Sequence, residues 1–265
     1  MDKKLLINRY AENEDEKIKL AHIIDLAERC EKRNIVTSSA FLTEGERGRC
    51  EALLRAMGFS NFVFFGGYDD AERTSAVFLP EYIEEADAAL AGLTFCEAEV
   101  DKFNMKDADF SHRDILGSLM GLGLEREQIG DITAEGGRGV FVLRESVAPF
   151  LLENLKKIGR FPISVRISDD IEFEMKADFE EKSDTVSSLR LDSVVASIFS
   201  LSRSASADAV SSGLVAVDGI ALKKCDAEVK EGAKISLKGK GKALLIKTDG
   251  FSRKGRIRII FRKYK

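Results

Sequence analysis

The sequence predicts an α+β protein built in three parts. Three observations predict it: helical periodicity confined to separate stretches, a β-α-β-β-α-β order in the middle of the chain, and a change of charge in the last third. A chain of 265 residues has room for two or three cores. A charged fraction of 32%, 44% hydrophobic residues and three prolines describe a folding chain, not a disordered one. No apolar run approaches the length of a membrane span. The opening MDKKLLINRYAENEDEK has no extended apolar core or small-residue cleavage site, so the cytoplasm is the expected location. Cys30, Cys50, Cys96 and Cys225 form no C-x-x-C pair, and with two histidines in the chain neither a structural metal nor another cofactor is expected.

The first part, residues 1–84, is expected to combine helices and strands. Leu20, Ile23, Ile24, Ala27 and Cys30 recur at helical spacing within residues 13–33. A second helix opens at TEGE, where Thr43 and Glu46 have capping-box spacing, and stops at Gly58. NFVFFGGYDDAERTSAVFLPEY then reads as two strands around a turn, ending at Pro80.

The second part, residues 85–170, carries the β-α-β-β-α-β order: AGLTFCEAEV, helix HRDILGSLMGLG, EQIGDITAE, GVFVLRE after the turn GGRG, helix VAPFLLENLKKIG, and FPISVRIS. That is the ferredoxin-like plan, shared with RNA-recognition modules but also with many enzymes and sensors. GVFVLRE supplies only Phe141, against the aromatic-rich strand of a standard RNA-recognition motif. In the helix, Ser111 is the expected N-cap, Ile115, Leu116, Leu119 and Met120 form the buried stripe, and Gly121 or Gly123 marks the end. His112 and Arg113 project from its first turn as candidates for a secondary RNA contact, a surface or capping role for His112 being the plainer reading. A polar linker is expected over residues 171–187, after alternation at Ile171, Phe173 and Met175.

The third part, residues 188–265, is basic. Glu181–Lys265 holds 18 Lys+Arg against 9 Asp+Glu, a balance of +9 that leaves −13 for the first 180 residues. A polyanion held at one end explains such a split, and a solvated charged tail explains it almost as well. Val194, Val195, Ile198 and Leu201 stripe one helix. A shorter helix runs from about Ser204 to a stop at Gly213, and LVAVDGIAL makes a hairpin about Asp218-Gly219. Two helices and a hairpin, with Arg190 opening the first helix, Ser202-Arg203 before the second and GLVAVDG after, resemble an S4 domain, an RNA-binding module. Arg190 and Arg203 are expected at helix ends that the turn brings close, with Lys223 and Lys224 leaving the hairpin nearby, as one cationic face for phosphates, and Ser202 beside Arg203 is a further candidate for RNA contact. Asp192 is expected to cap or orient. KGKGKALL and FSRKGRIRIIFRKYK add Lys238, Lys240, Lys242, Arg253, Lys254, Arg256 and Arg258. Ile257, Ile259 and Phe261 alternate with arginines, which predicts an amphipathic strand, and SRKGR is a candidate phosphate-contacting loop.

No catalytic centre emerges. A kinase catalytic loop needs Asn five residues after the Asp of His-Arg-Asp, and Leu119 stands there after Asp114. RLDSVVAS departs from the motif of pseudouridine synthases, and GGYDD and GGRG read as turns, not as cofactor loops. An RNA-modifying enzyme with an S4 targeting domain remains the alternative, with Asp114 or Asp131 as acid or base.

The whole chain resembles the YlmH-type S4-domain family of bacteria, on FFGGYDDAER, HRDILGSLMGLGLEREQIGDI, SSLRLDSVVASIFSLSRS and GLVAVDG. The resemblance implies a non-enzymatic RNA-binding adaptor, at the large ribosomal subunit carrying peptidyl-tRNA, in ribosome-associated quality control. Structured RNA, large-subunit rRNA and possible tRNA contact follow as partners. A link to cell division is also attributed to the family, and the acidic N-terminal part is open to a protein partner. Arg190 and Arg203 match the arginines that S4 modules use on RNA.

Overall fold

The computed structural model describes residues 3–68, 71–87, 89–100, 109–168 and 179–264. The chain divides into two compact units, Met1–Met175 and Lys176–Lys265. The parts expected over 1–84 and 85–170 thus lie in one unit.

In the first unit, α1 (Lys3–Tyr10), α2 (Glu14–Arg33) and α3 (Glu44–Met57) bury Leu6, Leu20, Ile24, Cys50, Leu53 and Leu54 against Leu42, Ala76 and Phe78 of a small sheet. Sequence chemistry sets the ends of these helices. The Asn13 side chain caps α2, Thr43 and Glu46 make the capping box of α3, and Gly58 closes α3 at φ 90°. The sheet is antiparallel, in the order β1 (Thr37–Leu42), β3 (Thr74–Phe78), β2 (Phe62–Phe65). Two elements have no counterpart in the sequence reading: α1, and β1, whose TSSAFL lacks the strict alternation that marks a half-buried strand.

The second sheet of this unit takes the order β5 (Ile129–Glu135), β6 (Arg138–Arg144), β4 (Leu93–Val100), β8 (Phe161–Ile167), β7 (Lys157–Ile158), antiparallel throughout. Gly136 and Gly137, at φ 55° and 79°, make the tight turn between β5 and β6 that GGRG promised. Ile115 and Leu119 of α4 (His112–Gly121) and Leu151 of α5 (Ala148–Asn154) pack on one core with Cys96, Ala98, Phe141 and Leu143. The second helix is shorter than expected. Its last residues, Lys157 and Ile158, form β7, because Leu155 leaves helical geometry at ψ 97°. On the sheet's other face Phe95 and Val142 join Phe41 and Val77 of the small sheet in a shared core. Gly130 permits that contact, since a Cβ there would lie 2.8 Å from the Phe41 ring.

The second unit is a six-stranded antiparallel sheet, β11 (Ile220–Ala221), β10 (Val215–Val217), β12 (Lys234–Leu237), β13 (Gly241–Phe251), β14 (Ile257–Tyr264), β9 (Phe179–Val186). Leu191, Val194 and Ile198 of α6 (Leu191–Ile198) and Val210 of α7 (Arg203–Ser211) cover Ile235, Leu245, Ile259 and Phe261. Asp218 and Gly219, at φ 49° and 76°, make the β10–β11 turn. The linker expected over 171–187 needs correction. Phe179–Val186 is an edge strand paired with β14 along its whole length, from Tyr264 to Ile257. Only Val186 of it is buried, so FEEKSDTV carries no apolar alternation to announce a strand. Ile171, Phe173 and Met175 lie outside the described residues.

Candidate nucleic-acid interface

α6 and α7 meet at their first turns. The Ser206 hydroxyl, fully buried, donates to the Asp192 carbonyl at 2.6 Å and pins the start of α7 on the start of α6. Arg190 is the N-cap residue of α6, with an extended backbone (φ −63°, ψ 143°) and no side-chain cap bond. Its guanidinium forks onto Asp192, Nε at 3.1 Å and Nη2 at 2.8 Å, while the Ser193 amide donates to the same carboxylate at 2.8 Å. That fork orients Arg190, the role expected of Asp192. The Arg190 hydrogen bond holds the Asp192 carboxyl below the usual range and in turn raises the Arg190 pKa, so both stay charged at neutral pH.

Arg203 opens α7, after Ser202 has capped it by accepting from the Ala205 amide at 3.1 Å. Its Nη2 donates to the Ser187 hydroxyl at 3.2 Å. A cleft of about 270 Å³ results, lined by Ser187, Ser188, Arg190, Asp192, Ser193 and Arg203. A helix N-terminus already carries positive partial charge, and helix stability favours acidic residues there. Arginines at two N-termini side by side work against the helices and suit an anion, to which backbone amides and guanidinium groups can both donate.

The hairpin tip between β13 and β14 lies at the same end of the sheet. Ile257 pairs with Val186, and Arg256 Nη2 donates to the Thr185 carbonyl at 2.6 Å. Ser252 closes the tip by bonds to Gly255 and Arg256, which leaves Arg253 and Lys254 exposed at its apex. Arg256 is therefore spent on β9, a use its sequence context did not reveal.

Lys224 stays near this end, because the Cys225 and Ala227 carbonyls accept from the Asp192 and Leu191 amides at the start of α6, whereas Lys238, Lys240 and Lys242 lie away from it, so the basic candidates are divided. Lys238 and Lys240 occupy the β12–β13 turn, beyond Gly241 at the other end of β13, and Lys242 begins the strand beside them. The Lys238 amide donates to the Leu214 carbonyl, and Lys223 packs where a Cβ on Gly213 would reach its Cε at 3.1 Å. Lys224 pairs with Asp226 at 3.9 Å. Eleven strand residues separate the two ends of β13, roughly 30 Å.

In the first unit, His112 and Arg113 are exposed on the first turn of α4, and capping falls to Ser111 and Asp114, which form a capping box. Partial desolvation, then the Arg126 guanidinium, pushes the His112 imidazole below its usual value, so it is uncharged at pH 7. Asp131 accepts from the Tyr68 hydroxyl at 2.6 Å and from the Glu72 and Arg73 amides at 2.7 and 3.1 Å. Tyr68, Glu72 and Arg73 thus clasp the two sheets of the unit together. Among the described residues no group of three His, Cys, Asp or Glu is placed to hold a metal ion, and no helix is long and apolar enough to cross a membrane.

Fold and site together define a class: an α+β protein whose basic unit gathers arginines around two adjoining helix N-termini. Residues 97–172 match the family model described as "Putative RNA-binding domain in YlmH". The chain is 36% identical over 209 residues, 76% of its length, to 77% of the Bacillus subtilis (strain 168) protein named "Ribosome-associated protein quality control protein P2". A solved chain described as "Cell division protein ylmH from Streptococcus pneumoniae" is 20% identical, with a TM-score of 0.48 over 62% of this chain and 96% of that one. The chain belongs to the YlmH family.

Proposed function

We propose that this protein is an RNA-binding, ribosome-associated adaptor that grips structured RNA with the Arg190–Arg203 cleft. The observation that carries the reading is the convergence of these two arginines at adjoining helix N-termini, where the Asp192 carboxylate offsets part of the electrostatic cost and a bound anion would offset the rest. The two helices with the Asp218-Gly219 hairpin support the S4 reading of this unit, and the β5-β6-β4-β8 strand order supports the ferredoxin-like reading of the other. Similarity to a protein named for ribosome-associated quality control supports the ribosome as the place of action, and the large subunit carrying peptidyl-tRNA is the place proposed within it. The cytoplasm is the compartment this requires. Two linked RNA-contacting units, the second through His112 and Arg113, would gain avidity over either alone.

The adaptor reading needs no reaction. Asp114 and Asp131, the acid-base candidates of the RNA-modifying alternative, are engaged in the α4 capping box and in the clasp. Hydrogen bonds from Ser111 hold the Asp114 carboxyl below the usual range, so it stays ionised and unsuited to act as a general acid at neutral pH.

The test is co-sedimentation of the wild type and the Arg190→Ala/Arg203→Ala variant with ribosomal subunits and subunit–peptidyl-tRNA complexes across a salt series. Binding of the wild type to the large-subunit complex, weakening steeply with salt and lost in a folded double variant, is the expected result. Equal binding by both proteins would remove the cleft as the anchor.

A further inference from the structure

Phe251 is 74% exposed, more than any other large hydrophobic side chain among the described residues. It ends β13, one residue before the Ser252–Arg256 tip. Phe251 pairs with Ile257, and Ile257 with Val186. Directly paired residues of antiparallel strands point to the same face, so these three form a row across the sheet. Val186 is buried under α6, and Ile257 is half-buried against the same core. Phe251 therefore stands on the helix-bearing face, where the row runs out from under the core. The helices on that face start at Arg190 and Arg203, and Arg253 and Lys254 follow Phe251 in the chain.

An isolated exposed aromatic ring is ordinary on a protein surface. This one is set apart by its surroundings: a paired strand end, a tip closed by its own hydrogen bonds, and the exposed Arg253 and Lys254 next in the chain. Phosphates held by Arg253 and Lys254 would bring the attached nucleotide within reach of the ring, whose face is open to take a base. We propose that Phe251 is a stacking platform for an unpaired RNA base, so that this end of the unit prefers a phosphodiester backbone with a flipped or looped-out nucleotide over a continuous duplex. This rests on the RNA-binding reading above and adds the kind of RNA that the site selects.

The sequence contains no tryptophan, so Phe251→Trp in the full chain gives a single-indole reporter. The probes are an RNA stem-loop with an unpaired loop and a blunt RNA duplex of equal length. Stacking predicts that the indole fluorescence of the Phe251→Trp variant is quenched by the stem-loop and not by the duplex. It also predicts that Phe251→Ala weakens stem-loop binding roughly five- to a hundredfold, that Phe251→Trp restores it, and that duplex binding barely changes. The slope of log affinity against log salt stays as in the wild type, because no phosphate contact is lost. Salt-dependent binding of the wild type, with the Phe251→Trp indole unquenched and Phe251→Ala unaffected, would overturn the stacking proposal and leave the RNA-binding reading standing. Failure of the wild type to bind either RNA overturns both. Loss of large-subunit binding in Phe251→Ala with stem-loop binding intact assigns the ring to a protein surface, and also overturns the proposal.

Discussion

In the first unit Arg73, Arg126 and Arg144 turn their guanidinium groups onto the protein's own backbone, whereas in the second Arg190 and Arg203 meet side chains at the rim of an open cleft. Arg73 donates to the carbonyls of Ile129, Arg126 and Phe41 at 3.0, 3.2 and 3.4 Å. Arg144 donates to the Ala91 carbonyl at 2.7 Å and to the Ser38 hydroxyl at 2.9 Å, across the boundary between the two sheets. Burial lowers the pKa of all three, of Arg126 to about 10, yet leaves them cationic at neutral pH. Arg190, by contrast, is exposed, and its pKa is raised. One residue type serves as internal mortar through Arg73, Arg126 and Arg144, and stands at an open cleft, as the proposed docking group, through Arg190 and Arg203. The partner decides which, and the number of arginines does not.

The sharpest way to break this contrast is to remove an arginine of each kind. Arg73→Ala removes three guanidinium bonds, although the Ile129 and Arg126 carbonyls keep other donors, and takes the positive charge from beside Asp131 while the backbone bond to it remains. It should cost the first unit about 2–4 kcal/mol, read as lost amide-exchange protection in β5 and a lower urea midpoint, with RNA affinity unchanged. Arg203→Ala should do the reverse. RNA affinity falls by about 1–1.5 kcal/mol and the salt slope by roughly 0.7–0.9, while stability moves by less than about 0.5 kcal/mol, since a cation at a helix N-terminus opposes the dipole. If Arg203→Ala unfolds the unit, the cleft is structural and the contrast fails.

The contrast also explains what the sequence made legible. Local devices could be read directly: the Thr43–Glu46 and Ser111 caps, the Gly136-Gly137 and Asp218-Gly219 turns, and the stripe of α6. Each is fixed by residues within a few positions of one another. The meeting of Arg190 and Arg203 was also legible, because α6 is only about two turns long and α7 follows after a short turn to pack back on its start through Ser206 and Asp192. The Arg73–Asp131 clasp was not, since its partners lie 58 positions apart and a polar GGYDD looks like any loop. Strand β9 was invisible for a related reason: its stability comes from backbone pairing with β14, and its side chains, such as Glu181 beside Arg262 at 3.5 Å, face water. The division of the lysines between two ends needed the register of β13.

Between the two kinds of arginine stands Glu97, whose carboxylate takes Arg138 on one side and Arg166, at 2.6 Å, on the other. Burial pushes its pKa up, but the Arg138 hydrogen bond and the two positive charges bring it, on balance, below the ordinary 4.5. A depressed carboxylate contributes stability that is complete above its unfolded-state value and is lost as pH falls through the folded one. The first unit should therefore lose up to about 1 kcal/mol more than a Glu97→Gln variant in acid titration from about pH 5 to below about pH 4, the figure kept small by solvent around both arginines. Equal acid sensitivity of the two proteins would show that the triad contributes nothing to stability.

The smallest effect tests the division within the second unit itself. Lys238 and Lys240 sit past the far end of α7, where the Ala209 carbonyl takes the Leu214 amide and the Leu214 carbonyl takes the Lys238 amide, on the order of 20 Å from Arg203. That separation exceeds the Debye length of about 8 Å at physiological salt, so they cannot assist an RNA that only the cleft holds. Lys238→Ala/Lys240→Ala should change the affinity of a short stem-loop by no more than a few tenths of a kcal/mol. With an RNA helix long enough to span both ends, the same variant should lose up to about two phosphate contacts, visible as a shallower salt slope. A large loss with the short RNA would mean that the two ends are read together by some path along the sheet. Loss with neither RNA would leave these lysines as solvated surface, their charge serving the long-range field of the unit alone.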